Sequence, residues 1–234
     1  MSIVDPNRTD GIPFRTKVFD YADGRWTAVA ADPGTCTPQA TGEALDTEVW
    51  TAITLTPGDG DTITGTYDEA SAVGACTGER TLELTRVADA NPRIELADPA
   101  EQPPYVRSPA VGLRGNYTYR QVHPATGTAF PDEFYRGETR CLRSGDRCQT
   151  LLRGDGTQVL ALTFADGRWT GTTPPLRADC PGVDTARHVT DSTYPMPEPP
   201  TDPFPAVVGT ARQVVTGGCD TTFDLELALT RTGD

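Results

Sequence analysis

The chain has 234 residues, 36% of them hydrophobic, and its 33 acidic against 20 basic side chains give a formal net charge of −13. This charge argues against a nucleic-acid partner, because binding to phosphates needs a basic surface. No apolar run approaches the roughly 18 residues of a membrane span, so any contact with a membrane would be made through a segment outside this chain.

The first half of the chain has the pattern of short strands. Residues 1–13 lack any periodicity and are predicted to be a flexible lead-in. Apolar and β-branched runs then predict strands at about 14–21, 25–31, 47–56, 61–67 and 80–87, which make up a first β repeat over residues 14–98. Ile94 and Leu96 are expected to add one short edge strand. Residues 99–112 are predicted to form a proline-rich linker.

The second half, residues 113–234, predicts about eight short strands. They begin near residues 116, 134, 148, 158, 168, 186, 206 and 223, and turns separate them at close intervals. No stretch of ten or more residues carries a helical apolar face. The sequence therefore predicts an all-β protein of two tandem, related antiparallel β-barrel or β-sandwich domains, each stapled by a disulfide.

An internal duplication connects the two halves. Six consecutive residues, ADGRWT, occur at 22–27 and again at 165–170. An Asp-Gly pair between two β-rich runs predicts a type I′ hairpin turn, in which Gly24 and Gly167 adopt positive φ. Trp26 and Trp169 then begin the return strands, and each is expected to cover the end of a core. These four residues are assigned structural roles.

The six cysteines follow the same repeat. Cys36 and Cys180 are 144 positions apart and Cys76 and Cys219 are 143 apart, close to the spacing of the two tryptophans (169 − 26 = 143). Equivalent residues should form equivalent bonds, which predicts the disulfides Cys36–Cys76 and Cys180–Cys219. Cys141 and Cys148 flank a Ser-Gly-Asp turn and are predicted to form a cross-strand disulfide. Three disulfides indicate an oxidising, extracytoplasmic compartment; the alternative is six reduced, buried apolar residues.

The duplication is not symmetric, because the first copy has no counterpart of residues 115–152. Either strands were trimmed from its N-terminal side, or the first copy is a smaller, open sheet that leans on the second. An open sheet exposes its edges. The proline-dense loop at 194–200 is a candidate cover, since proline is tolerated at an edge.

Nothing in the sequence forms a recognisable catalytic constellation. No serine lies in a G-x-S-x-G turn, and His123 and His188 are interpreted as surface or half-buried side chains. The cysteines lack the C-x-x-C spacing of zinc sites, and the turn at 58–61 lacks the further ligands of a calcium loop. The many carboxylates always offer pairs, so they do not specify a glycosidase. We therefore predict a non-catalytic protein with no metal and no cofactor.

One stretch resembles a known family. Residues 141–148 (CLRSGDRC), followed by residues 162–170 (LTFADGRWT), are similar to a repeat in exported regions of mycobacterial and related actinobacterial proteins. These include the extracytoplasmic sensor parts of receptor-type Ser/Thr protein kinases. The resemblance covers the second copy and part of the first. It implies the outer part of a longer receptor, with the kinase and membrane span outside these residues. The arginine-rich composition, with Lys17 as the single lysine, also suggests an actinobacterial source.

Two functions are compatible with these observations, and a secreted hydrolase is a third, weaker hypothesis. The first is an extracytoplasmic sensor or binding module for an unknown small ligand or protein partner. The second is a free-standing secreted or lipid-anchored scaffold for protein contacts. An enclosed apolar cavity would favour ligand binding, and a filled interior would favour protein contacts. The candidate binding residues are aromatic, with core packing as the alternative role for each: Trp50, Tyr67, Tyr117, Tyr119, Phe134, Tyr135 and Tyr194.

Overall fold

The structure is a computed structural model, and it describes residues 18–38, 42–86, 98–156, 158–183 and 185–234. The predicted lead-in at 1–13 and the edge strand at Ile94 and Leu96 lie outside these residues. In the described parts of the chain the regular elements are β-strands and two short 3₁₀ helices. The prediction of an all-β fold is confirmed, and the second copy is a barrel.

Five antiparallel strands form the first sheet in simple sequence order. They are β1 (Asp20–Ala22), β2 (Arg25–Cys36), β3 (Leu45–Pro57), β4 (Thr62–Ser71) and β5 (Thr77–Thr85). The predicted linker at 99–112 contains the two 3₁₀ helices, Pro99–Glu101 and Pro109–Gly112. The sheet is a meander, in which each strand pairs with the next one along the chain.

The second group of strands closes into a barrel. Its strands are β6 (Gly115–His123), β7 (Thr128–Ala129), β8 (Glu133–Cys141), β9 (Cys148–Arg153), β10 (Val159–Ala165), β11 (Arg168–Thr172), β12 (Leu176–Arg177), β13 (Arg187–Pro195), β14 (Ala206–Thr216) and β15 (Thr221–Gly233). The order β11-β10-β9-β8-β6-β15-β14-β13 returns to β11, because β13 also pairs with β11 from Thr172↔Asp191 to Arg168↔Pro195. Eight strands therefore form a closed barrel, and the short strands β7 and β12 pair outside this ring.

Large side chains fill the barrel interior. The alternation of strand side chains points every second residue inward, and the inward positions carry aromatic and branched aliphatic groups. Trp169, Leu152, Leu162 and Leu229 have no exposed surface. An eight-stranded barrel is just wide enough for side chains to fill it. The interior of the second copy is consequently a packed hydrophobic core.

The two copies are equivalent strand by strand. The order β1-β2-β3-β4-β5 of the sheet matches β10-β11-β13-β14-β15 of the barrel. The repeated hairpin has the same backbone, with φ of 52° and 77° at Asp23 and Gly24 and of 51° and 74° at Asp166 and Gly167. Positive φ at both central residues is the type I′ turn predicted from the sequence. Among the described residues, the first sheet has no counterparts of β6, β8 and β9.

The three predicted disulfides are present: Cys36–Cys76, Cys141–Cys148 and Cys180–Cys219. No free cysteine remains in the described chain. Cys141 and Cys148 are register partners on β8 and β9, so their bond closes the hairpin as expected. These bonds are consistent with an oxidising compartment.

The proline-dense loop after β13 lies on its own barrel. Met196 donates its backbone N–H to Gly167, and Asp202 accepts hydrogen bonds from Arg107 and Arg114. The expectation that this loop covers an edge of the first sheet is therefore wrong. Its described contacts are at the end of the barrel where the β10–β11 turn lies.

Each copy has a glycine at an equivalent position, where the neighbouring strand lies too close to leave room for a Cβ atom. A Cβ at Gly209 would lie 2.3 Å from the carbonyl oxygen of Thr193 and 2.5 Å from Cδ1 of Tyr194. A Cβ at Gly65, its equivalent, would lie 1.9 Å from the carbonyl oxygen of Thr54. Both positions exclude any larger residue, since real Cβ atoms do not approach so closely.

We expect Gly209→Ala to lower the free energy of unfolding by at least about 2 kcal/mol, because the backbone contact cannot relax without shifting β13. Gly233→Ala is the matched control, since the nearest atom to its Cβ is the Asn116 amide nitrogen at 4.0 Å. Urea denaturation followed by circular dichroism measures both. Equal stability of the two variants would contradict this account.

Candidate binding surfaces

Four of the predicted tyrosines lie inside the barrel. Tyr117, Tyr135 and Tyr194 are buried with Tyr119, and the rings of Tyr119 and Tyr135 meet edge to face at 5.7 Å. The Tyr117 hydroxyl donates to the carbonyl of Phe204 at 3.0 Å, and the Tyr135 hydroxyl donates to Glu133 at 2.6 Å. These side chains are parts of the packed interior.

Burial changes the acidity of this tyrosine cluster. Desolvation of the phenolate raises the pKa of Tyr119 to about 12 and raises the pKa of Tyr194 well above its ordinary value. For Tyr135, burial and the neighbouring Glu133 carboxylate both raise the pKa. The Tyr194 hydroxyl is buried, and the hydroxyl of Tyr119 is its polar neighbour. The interior therefore requires neutral tyrosines.

The other three predicted residues lie in three different places. Trp50 is fully buried where the first sheet packs on the barrel. Tyr67 is half-buried on the opposite face of that sheet, beside Glu69 and Arg80. Phe134 lies on the outside of the barrel with 63% of its surface exposed. The seven predicted residues do not converge on one site.

Trp50 belongs to a polar contact that the sequence analysis did not identify. Its Nε1 donates to Glu48 at 2.8 Å, and Arg147 Nη2 donates to both oxygens of the same carboxylate at 2.8 and 3.0 Å. The Arg147 guanidinium also lies over the Trp50 ring, 5.5 Å from its centre. Because Arg147 lies in the disulfide-closed turn, this contact joins the sheet to the barrel.

The rest of the contact between sheet and barrel is small and partly polar. Ala70 packs on Leu151 and Ala161. Next to them, Gln149 donates to the backbone carbonyl of Ser71, while the Nε and Nη1 of buried Arg140 have no hydrogen-bond partner among the described residues. Burial lowers the pKa of Arg140. The outer wall of β8, β9 and β10 thus supports one face of the first sheet.

The face of the first sheet that corresponds to the barrel interior is called its inner face. This face differs from its counterpart in solvent exposure. Tyr21 and Trp26 pack with ring centres 5.0 Å apart and an angle of 47°, as Phe164 and Trp169 do at 5.0 Å and 55°. In the barrel Phe164 is 5% exposed, but Tyr21 in the sheet is 61% exposed. The same aromatic hairpin is enclosed in one copy and open in the other.

The middle of this inner face is covered, and its margins are open. Ala28, Ile53 and Leu55 are buried. Trp26 at the β1 margin and Leu82 with Leu84 at the β5 margin are half-buried, and Tyr21 is exposed. We call Tyr21, Trp26, Leu82 and Leu84 the open margins.

A pocket lies beside the proline-dense loop. The pocket has a volume of about 600 Å³, is open to solvent, and is lined by Gly167, Met196, Glu198, Pro199 and Pro200. It carries one carboxylate and otherwise apolar or backbone groups.

The described serines and histidines form contacts within the fold. The four described serines at 71, 108, 144 and 192 each take part in a hydrogen bond, for example Ser144 to Asp146, which lowers the pKa of that carboxyl group. His123 stacks on Phe223, and burial lowers the pKa of His188. No group of three or more metal-ligating side chains occurs in the ranges that the structure describes.

Comparison with known proteins adds no family. A scan of the chain against protein-family models gives no match, and a search of curated proteins gives none. Within the described ranges, no helix is long and apolar enough to cross a membrane.

We expect Glu48→Gln to lower the free energy of unfolding by about 1 kcal/mol, because charge-assisted hydrogen bonds from Trp50 and Arg147 weaken. Glu69→Gln is the control. Its carboxylate has a similar set of partners, Tyr67 and Arg80, but within the sheet and with the Arg80 side chain 69% exposed. Glu69→Gln should lower the free energy of unfolding by less than about 0.5 kcal/mol. Urea titrations at low and high salt measure the free energy of unfolding of both variants. A larger loss for Glu69→Gln than for Glu48→Gln would contradict the role of Glu48 in joining the sheet to the barrel.

The tyrosine cluster predicts alkaline unfolding. A raised pKa in the folded state stabilises the fold fully below the ordinary value of 10, and this stability is lost as the pH rises from 10 towards 12. Because Tyr194→Phe removes a buried hydroxyl whose polar neighbour is Tyr119, it should lose no more than about 1 kcal/mol of stability at pH 7 and unfold at a higher pH than the parent. Tyr117→Phe loses a hydrogen bond and should cost about 1 kcal/mol at pH 7. Denaturation followed by circular dichroism from pH 7 to 12 tests this. Phenolate absorption from the buried rings before the strands unfold would refute it.

Proposed function

We propose that the protein is a non-catalytic, extracytoplasmic binding module that engages a protein partner through the open margins of its first sheet. One observation carries the proposal: the hairpin pair that is enclosed in the barrel, Phe164 and Trp169, has an equivalent in Tyr21 and Trp26 that leaves Tyr21 61% exposed. Tyr21 and Trp26 lie at the β1 margin and Leu82 and Leu84 at the β5 margin, and apolar side chains that are not fully buried are typical of protein-binding surfaces.

The filled barrel supports a protein partner over an enclosed small ligand. Its interior is occupied by the core that includes Tyr117, Trp169 and Phe204. A ligand pocket in a barrel of this size would need space that these side chains take. The three disulfides support an exported location, where thiols oxidise and stay oxidised.

The resemblance of residues 141–148 and 162–170 to sensor repeats suggests where such a module acts. On this proposal the chain is the outer part of a receptor-type Ser/Thr protein kinase, and partner binding at the open margins is the signal it receives. The alternative within the same class is a secreted or lipid-anchored scaffold. The reading frame distinguishes them, because a kinase domain and one membrane span encoded with the chain favour the receptor.

A second candidate function is weak binding of a small ligand at the barrel end. The open pocket between Gly167 and the loop at 196–200 supports it. Titration with small cationic and apolar compounds, followed by the intensity of backbone NMR signals from Gly167 and Met196, would detect such binding.

Site-specific photo-crosslinking tests the main proposal. A benzophenone amino acid replaces Tyr21 in one variant and Phe134 in another, which is a matched control because the two side chains are 61% and 63% exposed. Both variants are exported in cells of the native source and irradiated. We expect a discrete protein adduct at position 21 and none at position 134. No adduct at position 21, or equal adducts at both, would refute the proposal.

A further inference from the structure

We propose that the partner adds three antiparallel strands between β5 and β1 and closes the first sheet into a second eight-stranded barrel. This inference rests on the proposed function and specifies the chemistry of the partner: a β-forming polypeptide segment with an apolar inner face, supplied by another protein. The internal repeat provides the evidence, because the closed copy shows what occupies each equivalent edge.

Both edges in question are paired in the barrel. There, β10 pairs with β9 over six residues, from Val159↔Arg153 to Phe164↔Cys148, and β15 pairs with β6 over most of its length. The equivalents of β10 and β15 are β1 and β5, and no strand of the described residues pairs with their outer edges. Unpaired N–H and C=O groups at an edge are a template for a further strand.

The number of strands is fixed by the same comparison. In the part of the chain that the structure describes, the closed ring has eight strands and the first sheet has five, so 8 − 5 = 3 strands complete it, and they correspond to β6, β8 and β9. These three form a continuous antiparallel unit in the barrel, in the order β6-β8-β9. A single unit can therefore bridge from β5 to β1.

The chemistry of the gap matches such a unit. In the barrel, β9 places Cys148 and Leu152 inward beside Phe164 and Leu160, and these inward residues enclose the aromatic hairpin. In the first sheet the open margins lie at the corresponding positions. The middle of its inner face, with Ile53 and Leu55, is already buried. A partner strand beside β1 must therefore carry apolar residues at every second position to cover Tyr21 and Trp26.

The docked barrel leaves room for this partner. It contacts the sheet through Trp50 and Ala70, whose side chains lie on the face opposite to Tyr21 and Trp26. Asp20 pairs with Arg143 of the disulfide-closed turn at 3.0 Å, which also fixes β1 from that opposite side. The inner face and the partner therefore lie on the side of the sheet away from the barrel.

The test uses the full chain and a surrogate partner, the synthetic segment 113–156 with Cys141 and Cys148 oxidised. Trp50 and Trp169 are 0% exposed, so acrylamide quenching of tryptophan fluorescence reports mainly on Trp26. We expect the segment to reduce quenching at least twofold and to slow amide exchange in both β1 and β5. The control segment carries Leu152→Asp and should do neither.

A second arrangement guards against an insoluble segment. The same 44 residues (113–156, 156 − 113 + 1 = 44) are joined to the N-terminus of the chain by a flexible Gly-Ser linker, which raises their local concentration to the millimolar range. Protection of Trp26 and of both edges should then appear without added segment, and Tyr21→Asp should weaken it. Absence of protection in both arrangements overturns the proposal.

Two other outcomes also decide the question. Sedimentation of the unmodified chain as a dimer in which β1 and β5 are protected would identify a second copy as the occupant and overturn the three-stranded partner. An adduct at position 21 from a protein that leaves β5 exchanging freely would keep the proposed function and refute only this inference.

Discussion

The whole structure depends on how each copy satisfies the hydrogen bonds at the edges of its sheet. In the second copy the pairing of β11 with β13 removes the last edges, and an interior that includes Trp169, Tyr194 and Leu229 becomes fully enclosed. In the described residues of the first copy, no strand pairs with the outer side of β1 or of β5. Tyr21 of its aromatic pair is 61% exposed.

The contact between the copies makes the open sheet possible. Trp50, Glu48 and Arg147 form a polar connection between the copies, and Ala70 adds apolar contact with Leu151 and Ala161. These groups cover one face of the sheet and leave its inner margins free. Because the barrel supports one face of the first sheet, the first copy keeps its buried residues although the margins of its other face are open. The arrangement suits a module in which the closed copy is scaffold and the open copy binds.

Much of the fold could be predicted from local signals. The Asp-Gly turns at 23–24 and 166–167 predicted both hairpins. The repeat spacing predicted two of the disulfides, and the turn between Cys141 and Cys148 predicted the third. The candidate binding residues were harder, because an aromatic side chain on a strand looks the same whether it points inward or outward. Phe134 and Tyr135 are neighbours on β8, yet the first is exposed and the second is inside the barrel. Composition alone contains no information on that choice.

The sequence by itself determined the strands, the turns, the disulfides and the missing counterpart of residues 115–152, because each depends on residues close in the chain or on an internal repeat. Only the tertiary structure decided that β11 meets β13 and that Arg147 reaches Glu48, 99 residues away. It also decided that Trp169 is enclosed while its equivalent Trp26 lies at an open margin. Burial is a property of what packs against a residue, and here the repeated hairpin differs in exposure because the closed ring has three more strands than the described first sheet.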